Sequence, residues 1–158
     1  MRVQLIGAFC ALAMATAGAA HAQEAPASAQ AGDLTVRQGH MMGWAGGGTP
    51  LGGEVAFTVE NAGTAPDRVV SVSTPAGPVG AVSVQVARDG RAVSLAPGDA
   101  TLAAATDAGP GLSRVTAQLT GLSHGAPSSV LTTITVTFER AGPVTVSARP
   151  VSPAPPPG

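Results

Sequence analysis

The stretch Glu54–Asn61, EVAFTVEN, decides the fold class. Val55, Phe57 and Val59 fall on one side of an extended chain, and Ala56, Thr58 and Glu60 on the other. Side chains alternate faces along a strand, so a period of two describes a half-buried β-strand. The same period recurs on both sides. Downstream, Ala62–Asp67 (AGTAPD) is a turn, and Arg68–Ser73 (RVVSVS) is a strand with Val70 and Val72 inward. Pro75, Gly77 and Pro78 end that strand. Ala81–Arg88 (AVSVQVAR) puts Val82, Val84 and Val86 on one face, Asp89-Gly90 is a two-residue hairpin signal, and Arg91–Leu95 returns. Thr101–Thr106 reads as a weak strand between the turns at Ala96–Asp99 and Asp107–Gly111. Arg114–Thr120 carries Val115, Ala117 and Leu119 inward. Val130–Glu139 (VLTTITVTFE) carries Ile134, Val136 and Phe138 inward, and Pro143–Ala148 follows the Ala141-Gly142 turn. Upstream, Asp33–Arg37 (DLTVR) opens the series.

No segment keeps a helical period, and strands do not alternate with helices, so nucleotide-binding α/β folds are excluded. About eight or nine short strands at this spacing predict an all-β domain. It should be an antiparallel β-sandwich of immunoglobulin-like type or a Greek-key barrel.

The ends read differently. Arg2, the apolar run Val3–Ala15 and the Ala20-His21-Ala22 cleavage pattern make residues 1–22 a secretory signal peptide. Cys10 lies inside it behind Phe9, where a lipoprotein signal places a small residue, so no lipid anchor is expected. Cleavage removes the single cysteine, and with it disulfides, thiolate metal ligands and cysteine nucleophiles. No later run is long and apolar enough to span a bilayer, so the exported chain should not insert in a membrane. The expected compartment is the periplasm. Residues 23–32 (QEAPASAQAG) read as a flexible linker, 33–148 as the folded domain, and 149–158 (RPVSPAPPPG) as a proline-rich disordered tail.

Composition narrows the function. The chain has eight arginines, no lysine, nine acidic residues and almost no aromatics. Without a basic stripe or stacking side chains, nucleic acid is not a partner. The acids sit mostly in turns, and the histidines left after cleavage, His40 and His124, do not make a three-ligand zinc site or a nucleophile–base pair. Enzymatic activity is not expected.

One stretch stands apart. His40-Met41-Met42-Gly43-Trp44 holds both methionines that survive maturation, the only tryptophan and one of those two histidines. Thioether and imidazole favour Cu(I). If extended, the stretch sends His40, Met42 and Trp44 to one side and Met41 to the other. In a loop between Gly39 and Gly43, Met41 joins them. The candidate metal ligands are His40, Met41 and Met42, with Trp44 (by a cation–π contact) and His124 as weaker candidates. The competing reading is structural: Trp44 as core, the methionines as gap-fillers and His40 as an exposed residue.

The succession of segments resembles the bacterial periplasmic copper chaperone family PCu(A)C. It rests on GDLTV (Gly32–Val36), Trp44-Ala45 before a Gly/Pro loop, and VAFTVENAGTAPDRVVSVSTPAG (Val55–Gly77). LAPGDATL (Leu95–Leu102), LTGL (Leu119–Leu122) and VTFERAGPVTV (Val136–Val146) follow in order. The resemblance implies a cupredoxin-like fold, Cu(I) as cargo, and a membrane cytochrome oxidase or another copper-handling protein as partner. It also implies two histidine and two methionine ligands, which this chain lacks. Val82 stands where the first histidine falls, Ala92–Ser94 where a methionine follows, Thr116 and Gln118 at the His-x-Met pair, and Thr120 before Gly-Leu. The chain therefore reads as a degenerate member. Either it uses a displaced His/Met site, or it is a non-metal-binding sandwich serving as a protein-interaction or structural module.

Overall fold

The computed structural model describes residues 25–44, 52–89, 91–120 and 131–151. Residues 1–22, His124, the Gly46–Pro50 loop, Gly90 and positions 152–158 lie outside them, as does the side chain of Trp44. Among the described residues are ten strands: β1 (Ser28–Ala31), β2 (Leu34–Arg37), β3 (Gly39–Trp44), β4 (Gly52–Asn61), β5 (Val69–Ser73), β6 (Val79–Arg88), β7 (Arg91–Ser94), β8 (Gly111–Thr120), β9 (Thr132–Phe138) and β10 (Gly142–Val151). They form one sheet in the order β5-β9-β10-β3-β4-β8-β6-β7, with β2 also paired to β4 and β1 to β2. All pairs are antiparallel except β10 with β3.

The sheet curls around a single core. Val55, Phe57 and Val59 of β4 are buried, as the alternation predicts. They join Val115, Ala117 and Leu119 of β8, Ile134, Val136 and Phe138 of β9, and Val144 and Val146 of β10 in one apolar cluster. Val84 and Val86 of β6 complete it, with Val82 partly buried at its margin. Closely packed Val, Leu and Ala make up most of it, with Phe57 and Phe138 as its aromatic rings.

Four expectations change. Val70 is 63% exposed. The β5–β9 register slips between Val69 and Ser71, so Val69 points inward in its place, while Val72 is buried as expected. Such a bulge re-aims side chains by placing two residues opposite one. Thr101–Thr106 is not a strand, because its N–H groups go to separate partners. Leu102 donates to the Asp67 carbonyl, Ala105 to the Gly63 carbonyl and Thr106 to the Gly109 carbonyl. Ala103 donates to the Ser113 hydroxyl. With no continuous neighbour there is no ladder. Leu102 is nevertheless buried and helps to close the core.

The remaining two changes concern the ends, where pairing runs beyond residues 33 and 148. Ser28–Ala31 folds back on β2 through Gly32 (φ +55°) and packs Ala29 and Ala31 against the core. At the other end, β10 continues through Pro150 to Val151 against β3. Strand alternation explains how proline is tolerated. The Ser147 N–H points to the β3 side, donating to the Pro26 carbonyl at 2.9 Å. The Pro150 nitrogen therefore points to the β9 side, beyond Ala148–Thr132, the last β9 pair among the described residues. The β10–β3 pairing loses no donor to it.

Gly111 starts β8 beneath the 103–104 backbone. A Cβ at this position would meet the carbonyl oxygens of Ala103 and Ala104. Backbone cannot swing aside as a side-chain tip can, so Gly111→Ala should lower stability by about 1–3 kcal/mol. Urea unfolding checks this; an unchanged midpoint would show that the 100–106 segment is free to lift.

Candidate metal centre

β3 is the strand that carries the opening candidates, and its neighbours set its faces. Gly39 sits where a Cβ would lie 2.6 Å from Ile134 Cδ1 and 3.5 Å from the Ala148 Cβ, so the strand enters pressed against the core. Two residues on, Met41 is 8% exposed and belongs to the core cluster. Its register partners are Val55 and Pro150. His40 is exposed and Met42 half-buried, both on the outer face. The stretch is thus extended, with Met41 on the core side and His40 and Met42 on the other. Trp44 ends β3 opposite Gly52. His124 lies outside the described residues.

The outer face around His40 and Met42 is ordered in rows. One row runs His40, Ala56, Thr116 and Ser83 across β3, β4, β8 and β6, with Arg149 of β10 on the far side of His40. The next row runs Met42, Glu54 and Gln118, with Val151 beyond Met42. Directly opposed residues have Cβ atoms about 4.5–5.5 Å apart, and diagonal ones about 7–8 Å. Met42 is therefore adjacent to Glu54, and His40 is Glu54's diagonal neighbour. Ala56 between them offers only a methyl group, which leaves the imidazole uncovered. Glu54 carries no hydrogen-bonding period or motif in the sequence. Only the register brings it here.

The positions carried over from the resemblance are not gathered into one site. Val82 pairs with Ala117 and packs partly buried on the core side. Thr116 and Gln118 lie on the outer face, and Ala92–Ser94 are exposed on the β7 edge. None supplies a soft donor. Among the described residues no group of three or more His, Cys, Asp or Glu is arranged to hold a metal ion. Any soft-metal site on this face depends on a thioether.

Two other polar features are structural. Arg37 and Glu60 make a paired contact across β2 and β4, Nε to Oε1 at 2.8 Å and Nη2 to Oε2 at 2.9 Å. The Arg37 hydrogen bond holds the Glu60 carboxyl below its usual range. Asp67, 7% exposed, takes the N–H groups of Arg68 (2.7 Å) and Arg140 (3.0 Å) on Oδ1 and that of Ala141 (3.0 Å) on Oδ2. It thereby ties the start of β5 to the β9–β10 turn. These are two of the segments that carry the resemblance.

Comparison with known proteins agrees with the fold. A copper-bound PCuAC domain from PmoF2 aligns at 23% identity and a TM-score of 0.50, over 80% of this chain and 98% of that domain. The apo form of the PmoF2 domain aligns at 21% and 0.51, over 81% and 97%. The apo PCuAC domain from PmoF1 aligns at 19% and 0.50, over 80% and 99%. Among curated proteins none matches in sequence. The likeness to these domains makes the architecture cupredoxin-like, an all-β fold as the strand pattern predicts. No helix among the described residues is long and apolar enough to cross a membrane. One family's sequence model, described as that of an LpqE-like lipoprotein, matches residues 16–151, nearly the whole chain. The chain belongs to this LpqE-like family, whose architecture is of the PCuAC type.

Proposed function

We propose that this protein is an extracytoplasmic, non-enzymatic copper-chaperone-like domain. It holds Cu(I) at a displaced site made by His40 and Met42. The supporting observation is the face they share: an exposed imidazole and a half-buried thioether, two residues apart on one strand. Both are donors that a soft monovalent ion prefers. A site this shallow exchanges ligands readily. An incoming donor from a partner reaches the ion before His40 or Met42 has left, and no change of oxidation state is needed. The partner is a copper-handling protein, such as a membrane cytochrome oxidase, or the domain retains the ion as a buffer.

The test is a Cu(I) titration of the purified protein against a chromogenic chelator, under reducing conditions. Near-stoichiometric transfer to the protein, lost in His40→Ala/Met42→Ala, is the expected result. Failure of the wild type to draw copper from the chelator would remove the Cu(I) reading. The positions emptied of ligands, Val82, Thr116, Gln118 and Thr120, favour the second reading, a metal-free β-sandwich that acts as an interaction or structural module. That reading gains if the wild type and the double variant titrate identically.

A further inference from the structure

The register places a third donor beside the two soft ones. Glu54 stands directly opposite Met42 on β4. The residue between its row and its diagonal neighbour His40 is Ala56, which reaches nowhere near the side-chain tips. All three side chains leave the same outer face, since Met41 and Val55, which alternate with them, are buried. Cross-strand spacing puts the three Cβ atoms at the corners of a triangle with sides of about 5 Å, 7 Å and 7–8 Å. His, Met and Glu each have arms long enough to converge above its centre. Among the described residues Glu54 makes no hydrogen bond or ion pair, whereas the other β4 carboxylate on this face, Glu60, is engaged by Arg37.

We propose that Glu54 is a ligand of the same site, and that through it the site takes Cu(II) as well as Cu(I). This rests on the His40/Met42 reading for the monovalent ion and adds the divalent one. The chemistry separates the two donors. A thioether binds Cu(I) well and Cu(II) weakly, while imidazole and carboxylate suit Cu(II). Met42 therefore governs the affinity for the monovalent ion, Glu54 that for the divalent ion, and His40 serves both. Among the described residues Arg149, beside His40 on β10, is the one cation in register with the triangle. The Glu54 charge offsets its repulsion of an arriving metal ion.

The experiment measures both oxidation states on one set of proteins. Wild type, Glu54→Gln, Met42→Leu and Glu60→Gln are titrated with Cu(I) against a chromogenic chelator, and with Cu(II) against glycine. Circular dichroism confirms that each is folded. Glu54→Gln should weaken Cu(II) binding by at least about tenfold, the loss that even outer partners of a metal site cause when removed. Its Cu(I) affinity should stay unchanged. Met42→Leu should show the converse, and Glu60→Gln should match wild type in both titrations. If Glu54→Gln binds Cu(II) as wild type does while Cu(I) binding persists, Glu54 is not a ligand and the His40/Met42 reading stands. If Glu60→Gln loses as much as Glu54→Gln, the effect is one of general charge, and the assignment fails. If wild type takes Cu(II) through Glu54 but no Cu(I), the assignment holds and the monovalent reading fails. If it takes neither ion, both fall.

Discussion

Asp67→Ala should destabilise the domain by about 3–5 kcal/mol, a large part of the 5–15 kcal/mol that holds a typical domain folded. The carboxylate accepts three backbone N–H groups, and two of them, from Arg140 and Ala141, come from the far end of the chain. Hydrogen bonds to a charged acceptor contribute about 1.5–3 kcal/mol each, and truncation leaves the donors without a partner in a half-buried site. The Asp67 main chain is also engaged, its carbonyl receiving the Leu102 N–H at 2.8 Å. Loosening the side chain therefore disturbs the closing segment as well. Asp67→Asn separates charge from geometry. The amide oxygen can keep Arg68 and Arg140, but its NH2 group faces the Ala141 N–H, donor against donor. The asparagine variant should lose about 1–2 kcal/mol. Urea unfolding of the three proteins gives the comparison, provided their m-values agree. An alanine variant within 1 kcal/mol of wild type would mean that water satisfies the turn unaided.

Phe138→Ala should cost a similar amount, about 3–5 kcal/mol, by a different route. Phe138 is 2% exposed at the end of β9, in register with Val69 of β5 and Gly142 of β10. The core around it is mostly Val and Ala, whose short side chains cannot collapse into a space the size of a phenyl ring. Phe138→Leu keeps most of the volume and should cost no more than about 1.5 kcal/mol. Equal losses for the two variants would show that ring shape, rather than the cavity, sets the penalty.

Phe138 belongs to a strand that could be read from sequence, and the reason is physical. β4, β8 and β9 each have one face in the core and one outside, so burial imprints a period of two on them. β3 carries no such imprint. Met41 and Met42 are both apolar although only Met41 is buried, and Gly39 and Gly43 contribute no side chain to the pattern. The strand exists because β4 and β10 pair with it on both sides, a long-range cause that local reading does not register. β1 and the end of β10 were hidden for a related reason. Their Ala, Ser and Pro composition resembles a linker, and only distant partners make them strands. At the candidate site His40 and Met42 stood out by residue type. Glu54 did not, because a carboxylate at an alternating strand position is indistinguishable from any solvent-facing residue until the register is known.

The seam between β3 and β10 bears on when β3 gains its second neighbour. It joins the strands in parallel and is bolted at its start by the Gln38 amide donating to the Ser147 hydroxyl, across 109 residues of sequence. Closing so long a loop must precede any reward from the contacts it allows, which makes such pairings late events in folding. The far edge of β3 is therefore synthesised early but covered late, after the end of β10 has been made. The pairing with β4 that sets Met42 opposite Glu54 spans only twelve residues and needs no such wait. Until Ala148–Val151 has been made, β3 has a partner on one side only, and the order of synthesis makes its closed form a property of the finished domain.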